Sequence, residues 1–283
     1  MTMNLLKGLK NIIDNPANNL SEQYLTSNRI NNVGSALETY IKDAFCNTFT
    51  ETEIPNKLEK YSEVFSYLGN QNNPPDIMIR GGDAIEVKKI QTDTADLALN
   101  SSYPKDRLYS ESPMITRECR ECEAWNIKDL IYSVGVVKTG KIKFLTFVYG
   151  DCYCADKSIY ERVKDAISNG LRSLEGITLS PTKELGRINE VDPLGITNLR
   201  IRGMWQIKNP LNVFDYAVKL EKGKEFQVVA IMSESKYLSF PDSDRKNLEE
   251  AINSIGGNIS DIKLKSPNNP AKLINSKVIS FSF

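Results

Sequence analysis

Asp76, Glu86 and Lys88 are the residues whose types and spacing could do chemistry. They stand in NNPPDIMIRGGDAIEVKKI, residues 72–90. Two carboxylates held a few ångströms apart repel, and one pKa rises unless a cation lies between them. Magnesium answers that need: it prefers oxygen ligands, keeps several waters, and often takes only one or two carboxylates together with a substrate phosphate. A lysine beside it can orient or help deprotonate a water, or stabilise charge developing on phosphorus. Such a set is sufficient to hydrolyse a phosphodiester. The competing reading is an ordinary solvated hairpin face with cross-strand ion pairs.

The 283 residues include no histidine. That excludes Ser-His-Asp and Cys-His nucleophilic mechanisms in their usual form, and zinc hydrolases with histidine ligands. Hydrolysis here must rest on carboxylates, lysine and a hard metal ion.

Whether the three side chains meet depends on strand geometry. Successive strand residues face opposite ways, so Glu86 and Lys88 share one face of AIEVKKI, and Lys89 points to the other. A three-residue loop, Gly81-Gly82-Asp83, would pair Arg80 with Ala84, Met78 with Glu86, and Asp76 with Lys88. All three reactive groups then converge. A one-residue change of loop length would break the convergence. Asp83 reads as a turn-former.

The elements that must position this hairpin follow from pattern. MTMNLLKGLKNIIDNP has apolar residues at helical spacing but neither a continuous apolar region nor a small-residue cleavage site, so it reads as a helix packed on the core. NRINNVGSALETYIKDAF sets Ile30, Val33, Leu37, Tyr40, Ile41 and Phe45 on one helical stripe, with Ser27 or Asn28 as cap. VFSYLG reads as a strand, NQNNPP as a loop, and IYSVGVV with KIKFLTFVYG as a hairpin buried on both faces. SIYERVKDAISNGLRSL and DRKNLEEAINSI read as helices; NLRIRGMWQI, QVVAIMS and KVISFSF as strands. The expected class is α/β, a mixed central β-sheet flanked by helices. One domain spans residues 1–283, with a core over about 28–175 and a C-terminal part over 176–283.

Lysine plus arginine and aspartate plus glutamate number 36 each, so no overall basic charge advertises nucleic acid, though a basic cleft can coexist with acidic outer faces. No apolar run is long enough to span a bilayer, and no membrane role is expected. Five cysteines, Cys46, Cys119, Cys122, Cys152 and Cys154, read as reduced thiols of a cytoplasmic, prokaryotic protein rather than as a zinc site.

Pro75-Asp76, nine further residues, then Glu86-Val87-Lys88 resembles the PD-(D/E)xK nuclease superfamily. The longer blocks NNPPDIMIRGGDAIEVKKI, LALNSSYPKDRLYSESPMI and RIRGMW are similar to the NgoPII-type family of type II restriction endonucleases over most of the chain. This resemblance implies a restriction endonuclease-like core, a C-terminal elaboration over 176–283 that contributes to DNA recognition or dimerisation, and Mg2+-dependent cleavage of double-stranded DNA at the palindrome GGCC. It implies that Asp76 and Glu86 are metal ligands, that Lys88 is the catalytic lysine, and that Glu38 is a candidate further acid. It also implies a cognate DNA methyltransferase acting on the same site.

A palindrome suits a two-fold protein, so a homodimer is expected. Two blocks offer DNA contacts. Asn100, Ser101, Ser102, Tyr103 and Lys105 form a small polar loop, and Arg200 and Arg202 share one strand face beside a glycine. Arginine is the usual reader of guanine O6 and N7. Two other readings stay open on sequence: a structure-selective or repair nuclease with the same motif, and a non-catalytic DNA-binding protein on the same scaffold.

Overall fold

Apolar spacing draws the N-terminal segment onto the core. In the computed structural model, which describes residues 2–24, 33–70, 73–182 and 184–283, helix α1 (Leu5–Asp14) buries Leu5, Leu6, Leu9 and Ile12 completely. Asn4 caps it by accepting the backbone N–H of Lys7. A single turn, α2 (Leu20–Gln23), leads to α3 (Val33–Cys46). Of the expected stripe on α3, Leu37, Tyr40, Ile41 and Phe45 are buried. Ile30, the side chain of Val33 and the expected caps Ser27 and Asn28 lie outside the described residues.

Helix α4 (Ile54–Val64) runs directly into a meander of β1 (Phe65–Asn70), β2 (Asn73–Ile79) and β3 (Ala84–Ile90). Strand β2 begins at Asn73, so Pro74 and Pro75, expected in a loop, open the strand instead. That is a position where proline's missing N–H does little harm. Short β4 (Leu97–Asn100), β5 (Arg107–Tyr109) and α5 (Arg117–Glu121) precede the long strands β6 (Ile127–Lys138) and β7 (Lys141–Tyr149). After them come α6 (Gly150–Tyr153), α7 (Lys157–Arg172), β8 (Thr178–Leu179), β9 (Gly186–Asn189), β10 (Leu199–Ile201) and β11 (Trp205–Ile207). The chain closes with α8 (Pro210–Val213), β12 (Gln227–Ser233), α9 (Glu234–Ser239), α10 (Asp242–Ser254), β13 (Asn258–Lys265) and β14 (Leu273–Ser282).

The main sheet runs β1-β2-β3-β6-β7-β12-β14-β13, with β5 paired to β6. Its β3–β6 and β7–β12 pairs are parallel and the others antiparallel, so the sheet is mixed and flanked by helices, as expected. Parallel pairing needs cover on both faces, and the molecule supplies it. One core gathers Ile77, Ile79 and Ile85 with Leu37, Ile41 and Leu248; the other gathers Met78, Ala84 and Ile90 with Leu108, Cys119 and Phe214. Gly135, in the middle of β6, lets α3 approach closely: a Cβ there would lie 2.6 Å from Leu37 Cδ2. Among the described residues no helix is long and apolar enough to cross a membrane.

Two small sheets stand apart from this frame. One is β10-β9-β8; the other is the ribbon β11-β4. The expected single strand NLRIRGMWQI is therefore two strands in two sheets. Leu199–Ile201 pairs with β9 and Trp205–Ile207 pairs with β4, and Arg202, Gly203 and Met204 bridge between them.

Candidate active site

The hairpin forms, but its turn sits one residue earlier than expected. Ile79 N–H donates to the Asp83 carbonyl at 2.9 Å and Gly82 N–H to the Ile79 carbonyl at 3.0 Å. The loop is thus Arg80-Gly81-Gly82, with Gly81 at φ +63°, a left-handed value that glycine adopts freely. Arg80 cannot extend the strand because it is engaged elsewhere. Its guanidinium donates to the carbonyls of Ser62, Glu63 and Phe65, closing the C-terminal end of α4. Asp83 is more than a turn residue: it is buried, accepts from Tyr149 Oη at 2.6 Å, and pairs with Lys236 Nζ at 2.7 Å.

Moving the loop shifts the register by two. Met78 pairs with Ala84 and Ile77 with Ile85, so the continued register sets Asp76 across from Glu86 rather than from Lys88. An even shift preserves faces, so the convergence survives the error. Ladder pairing ends at Ile77 and Ile85, and there Asp76 Oδ2 accepts the backbone N–H of Val87 at 2.6 Å. Lys88 Nζ binds Glu86 Oε1 at 2.6 Å. The other oxygen, Glu86 Oε2, is buried without a hydrogen-bond partner among the described residues.

Electrostatics follow from this crowding. Burial first, and then the Glu86 charge, push the Asp76 carboxyl up to about 8, against smaller lowering effects of Lys88 and the Val87 N–H. For Lys88, burial would lower the pKa, but Glu86 and Asp76 outweigh it and hold the amine above the ordinary lysine value. The lysine is a cation in the resting site.

All three line one cleft of about 580 Å³. Its other walls are the polar loop and the arginine block. Asn100, Ser101 and Ser102 face it, as do Arg202, Gly203 and Met204. These segments lie a hundred residues apart, and the β4–β11 ribbon joins them by pairing Asn100 with Trp205. Tyr132, on β6 beside Glu86, secures the loop from below. Its hydroxyl accepts from Lys105 N–H at 2.8 Å and donates to the Lys105 carbonyl at 3.2 Å.

Not every expected DNA-facing residue reaches the cleft. Lys105 is buried; its Nζ binds Ser102 Oγ and the Tyr103 carbonyl, and burial lowers its pKa to about 8. Tyr103 lies along an adjoining hollow, stacked on Tyr160 with ring centroids 5.6 Å apart and donating to Glu161 at 2.9 Å. Arg200 does not line the cleft. Glu38 lies on α3 and accepts from Lys42 Nζ at 2.6 Å. Its charge raises the pKa of Asp76 and Lys88, but it is not part of the cleft wall.

One organising residue had no signal in the sequence. Glu184 lines the cleft and holds both arginines: Arg200 Nε at 3.0 Å and Nη2 at 2.7 Å, and Arg202 Nε at 2.5 Å. Arg200 thus spends two donors on the carboxylate. Arg202 spends only Nε there, and its side chain stays 59% exposed. Nothing in the Pro- and Gly-punctuated stretch around Glu184 marks it; only the β9–β10 pairing brings it to the arginines.

The chain's similarities agree with this geometry. The family model of the NgoPII restriction endonuclease matches residues 3–265. The type II restriction enzyme NgoPII of Neisseria gonorrhoeae is 46% identical over 280 residues, covering 99% of each chain. No solved structure matches. A match of this extent, together with a carboxylate–lysine cluster in a polar cleft, places the chain in the NgoPII restriction endonuclease family, and the protein is a restriction endonuclease.

Proposed function

We propose that the protein hydrolyses both strands of duplex DNA at GGCC, as a Mg2+-dependent homodimer, with Asp76, Glu86 and Lys88 at the reacting phosphate. The observation that carries the metal reading is Glu86 Oε2, a buried carboxylate oxygen with no partner among the described residues. It lies beside Asp76, whose carboxyl burial first, and then the Glu86 charge, push up to about 8. Buried charge calls for a partner, and a hard divalent cation fits an all-oxygen donor pair. No group of three or more acidic, cysteine or histidine ligands occurs among the described residues. Two carboxylates plus substrate phosphate suffice for Mg2+.

When bound, Mg2+ supplies charge neutralisation and Lewis-acid polarisation at the phosphate. The protein's own residues do the rest. Asp76 is locked by the Val87 N–H, and Glu86 by Lys88. The Lys88 ammonium, held cationic chiefly by Glu86, faces the negative charge that builds on phosphorus. Asn100, Ser101 and Ser102 present short polar groups suited to phosphate oxygens or base edges. Lys105 and Tyr103 brace that loop from within, so their contribution to DNA binding is indirect.

The GGCC assignment rests on the family resemblance and on Arg202. Its Nη1 and Nη2, free of Glu184, form the fork that reads guanine O6 and N7. Arg200, bidentate on Glu184, neutralises the carboxylate that aims Arg202. Glu38 adjusts the charge of the cluster from outside the cleft. A cognate methyltransferase protects the host by modifying the same sequence. Digestion of plasmid DNA with Mg2+, followed by sequencing of the fragment ends, tests the reading: every end should fall at GGCC. Ends scattered over unrelated sequences, or cleavage confined to branched substrates, would contradict it.

A further inference from the structure

The turn of the β2–β3 hairpin is gripped by two charged residues that stand outside the cleft wall. Strand alternation puts Lys128 on the same face of β6 as Leu130 and Tyr132. Strand β3 pairs in parallel with β6, Ala84 with Leu130 and Glu86 with Tyr132, so the continued register sets Lys128 level with Gly82. A glycine offers no side chain there, and the amine meets backbone instead. Lys128 Nζ donates to the Gly82 carbonyl at 2.6 Å and to the Ile79 carbonyl at 3.3 Å. Glu123, between α5 and β6, takes the other side of the turn. Its Oε2 accepts the Gly81 N–H at 2.9 Å, and its Oε1 pairs with Lys128 Nζ. Burial would raise the Glu123 carboxyl, but Lys128 and the Gly81 N–H outweigh it and hold it below the ordinary glutamate value. The two side chains are only 5% (Lys128) and 15% (Glu123) exposed. A buried ion pair is weak evidence of a gain in stability; here both ions are directed at the backbone of one turn.

We propose that Lys128 and Glu123 are positioning residues that select the register of the β2–β3 hairpin, and with it the side chain that stands across from Asp76. Strand alternation alone admits two registers, because a slip of two residues preserves both faces. A Gly81-Gly82-Asp83 loop would set Asp76 across from Lys88. The Arg80-Gly81-Gly82 loop sets it across from Glu86 when the pairing of Met78 with Ala84 and Ile77 with Ile85 is continued. Strand β3 is held to β6 from Ala84 to Ile90, so a slip would move β2 and the turn. It would carry the Gly82 carbonyl and the Gly81 N–H away from Lys128 and Glu123. A buried ammonium and carboxylate would then lose partners, which is unfavourable. Arg80 ties the first loop residue to the end of α4, and Lys236 holds Asp83 just after the turn; Glu123 and Lys128 hold the two glycines between. The proposal rests on the roles given above to Asp76, Glu86 and Lys88, and adds what fixes their pairing.

Nuclear magnetic resonance of the full chain, deuterated except at its amides and without DNA or metal, reads the register directly. In wild type the Ile77 amide should show a nuclear Overhauser contact to the Ile85 amide. In Lys128→Met that contact should weaken, and one from Ile77 to Val87 should appear. Glu123→Ala should do the same to a lesser degree. Glu123→Gln, which keeps an acceptor for the Gly81 N–H, should recover the wild-type contact. On plasmid DNA with Mg2+, Lys128→Met should lower kcat about 10²-fold, the scale of a small misplacement of reacting groups, with KM little changed. Glu123→Ala and Glu123→Gln leave the lysine in place and decide the matter should Lys128→Met fail to fold. A wild-type Ile77–Ile85 contact retained in Glu123→Ala, or in a folded Lys128→Met, overturns the proposal. A slipped register with wild-type kcat would leave the clamp standing and contradict the roles given to Asp76 and Glu86 instead, so the two failures are told apart.

Discussion

The hairpin of β2 and β3 and the small sheet of β8, β9 and β10 present charged side chains to the same cleft in opposite ways. Asp76, Glu86 and Lys88 stand on strands of the main sheet, and the Glu86 and Lys88 side chains are only 13% and 23% exposed. Arg200 and Arg202 stand at a small peripheral sheet, 57% and 59% exposed. The inner group is crowded enough to shift pKa values; the outer group is held by one shared carboxylate and otherwise open to solvent. Chemistry needs charges desolvated and fixed before substrate arrives. Base reading needs donors left unsatisfied until the right base pair offers acceptors.

Mutations should separate the two regions by size of effect. Glu86→Ala and Lys88→Ala should each lower cleavage by about 10²–10³-fold or more, with DNA binding and folding retained, as read by gel shift and circular dichroism. Near-normal cutting by both would remove the hairpin from the reaction. Arg202→Ala should cost about 1–3 kcal/mol, roughly 10–100-fold in kcat/KM, and relax discrimination against sites altered at one G·C pair. Arg200→Ala should cost less, because Arg200 already gives two donors to Glu184. Equal losses for the two arginines would show that the small sheet presents both alike. Ser101→Ala, on the exposed loop, should be the mildest, about 0.5–1.5 kcal/mol in KM with kcat unchanged.

The same contrast explains what could be read in the sequence. The faces of β2 and β3 were legible, because strand alternation depends only on residue parity. Their register was not. It turns on whether Arg80 ends a strand or enters the loop, and the carbonyls at the end of α4 decide that by binding its guanidinium. The strand QVVAIMS was legible to the residue because it is buried on both sides. The strands β4, β8, β9, β10 and β11 are two to four residues long, too short to carry a period. Their partners, and with them the role of Glu184, are set by tertiary pairing alone. The serine loop and the arginine block could be nominated separately from composition, but only β4–β11 pairing joins them to the hairpin.

The proposal that Asp76 and Glu86 form one metal site has a consequence in protons. Asp76 has its pKa raised by burial and by Glu86 to about 8, well above its value near 4 in an unfolded chain. The native state therefore holds more protons than the unfolded one between those limits. Without metal, this group costs stability progressively as pH climbs from about 4 to about 8. Metal binding requires the ionised carboxylate, so below about pH 8 it must expel that proton. Calorimetric titration with Mg2+, run at pH 7 and pH 9 in buffers of differing ionisation enthalpy, measures this directly. The prediction is release of close to one proton per site at pH 7, little at pH 9, and loss of tight binding in Asp76→Asn. Binding at pH 7 without proton release, or an Asp76→Asn protein that binds Mg2+ as well as wild type, would contradict the claim.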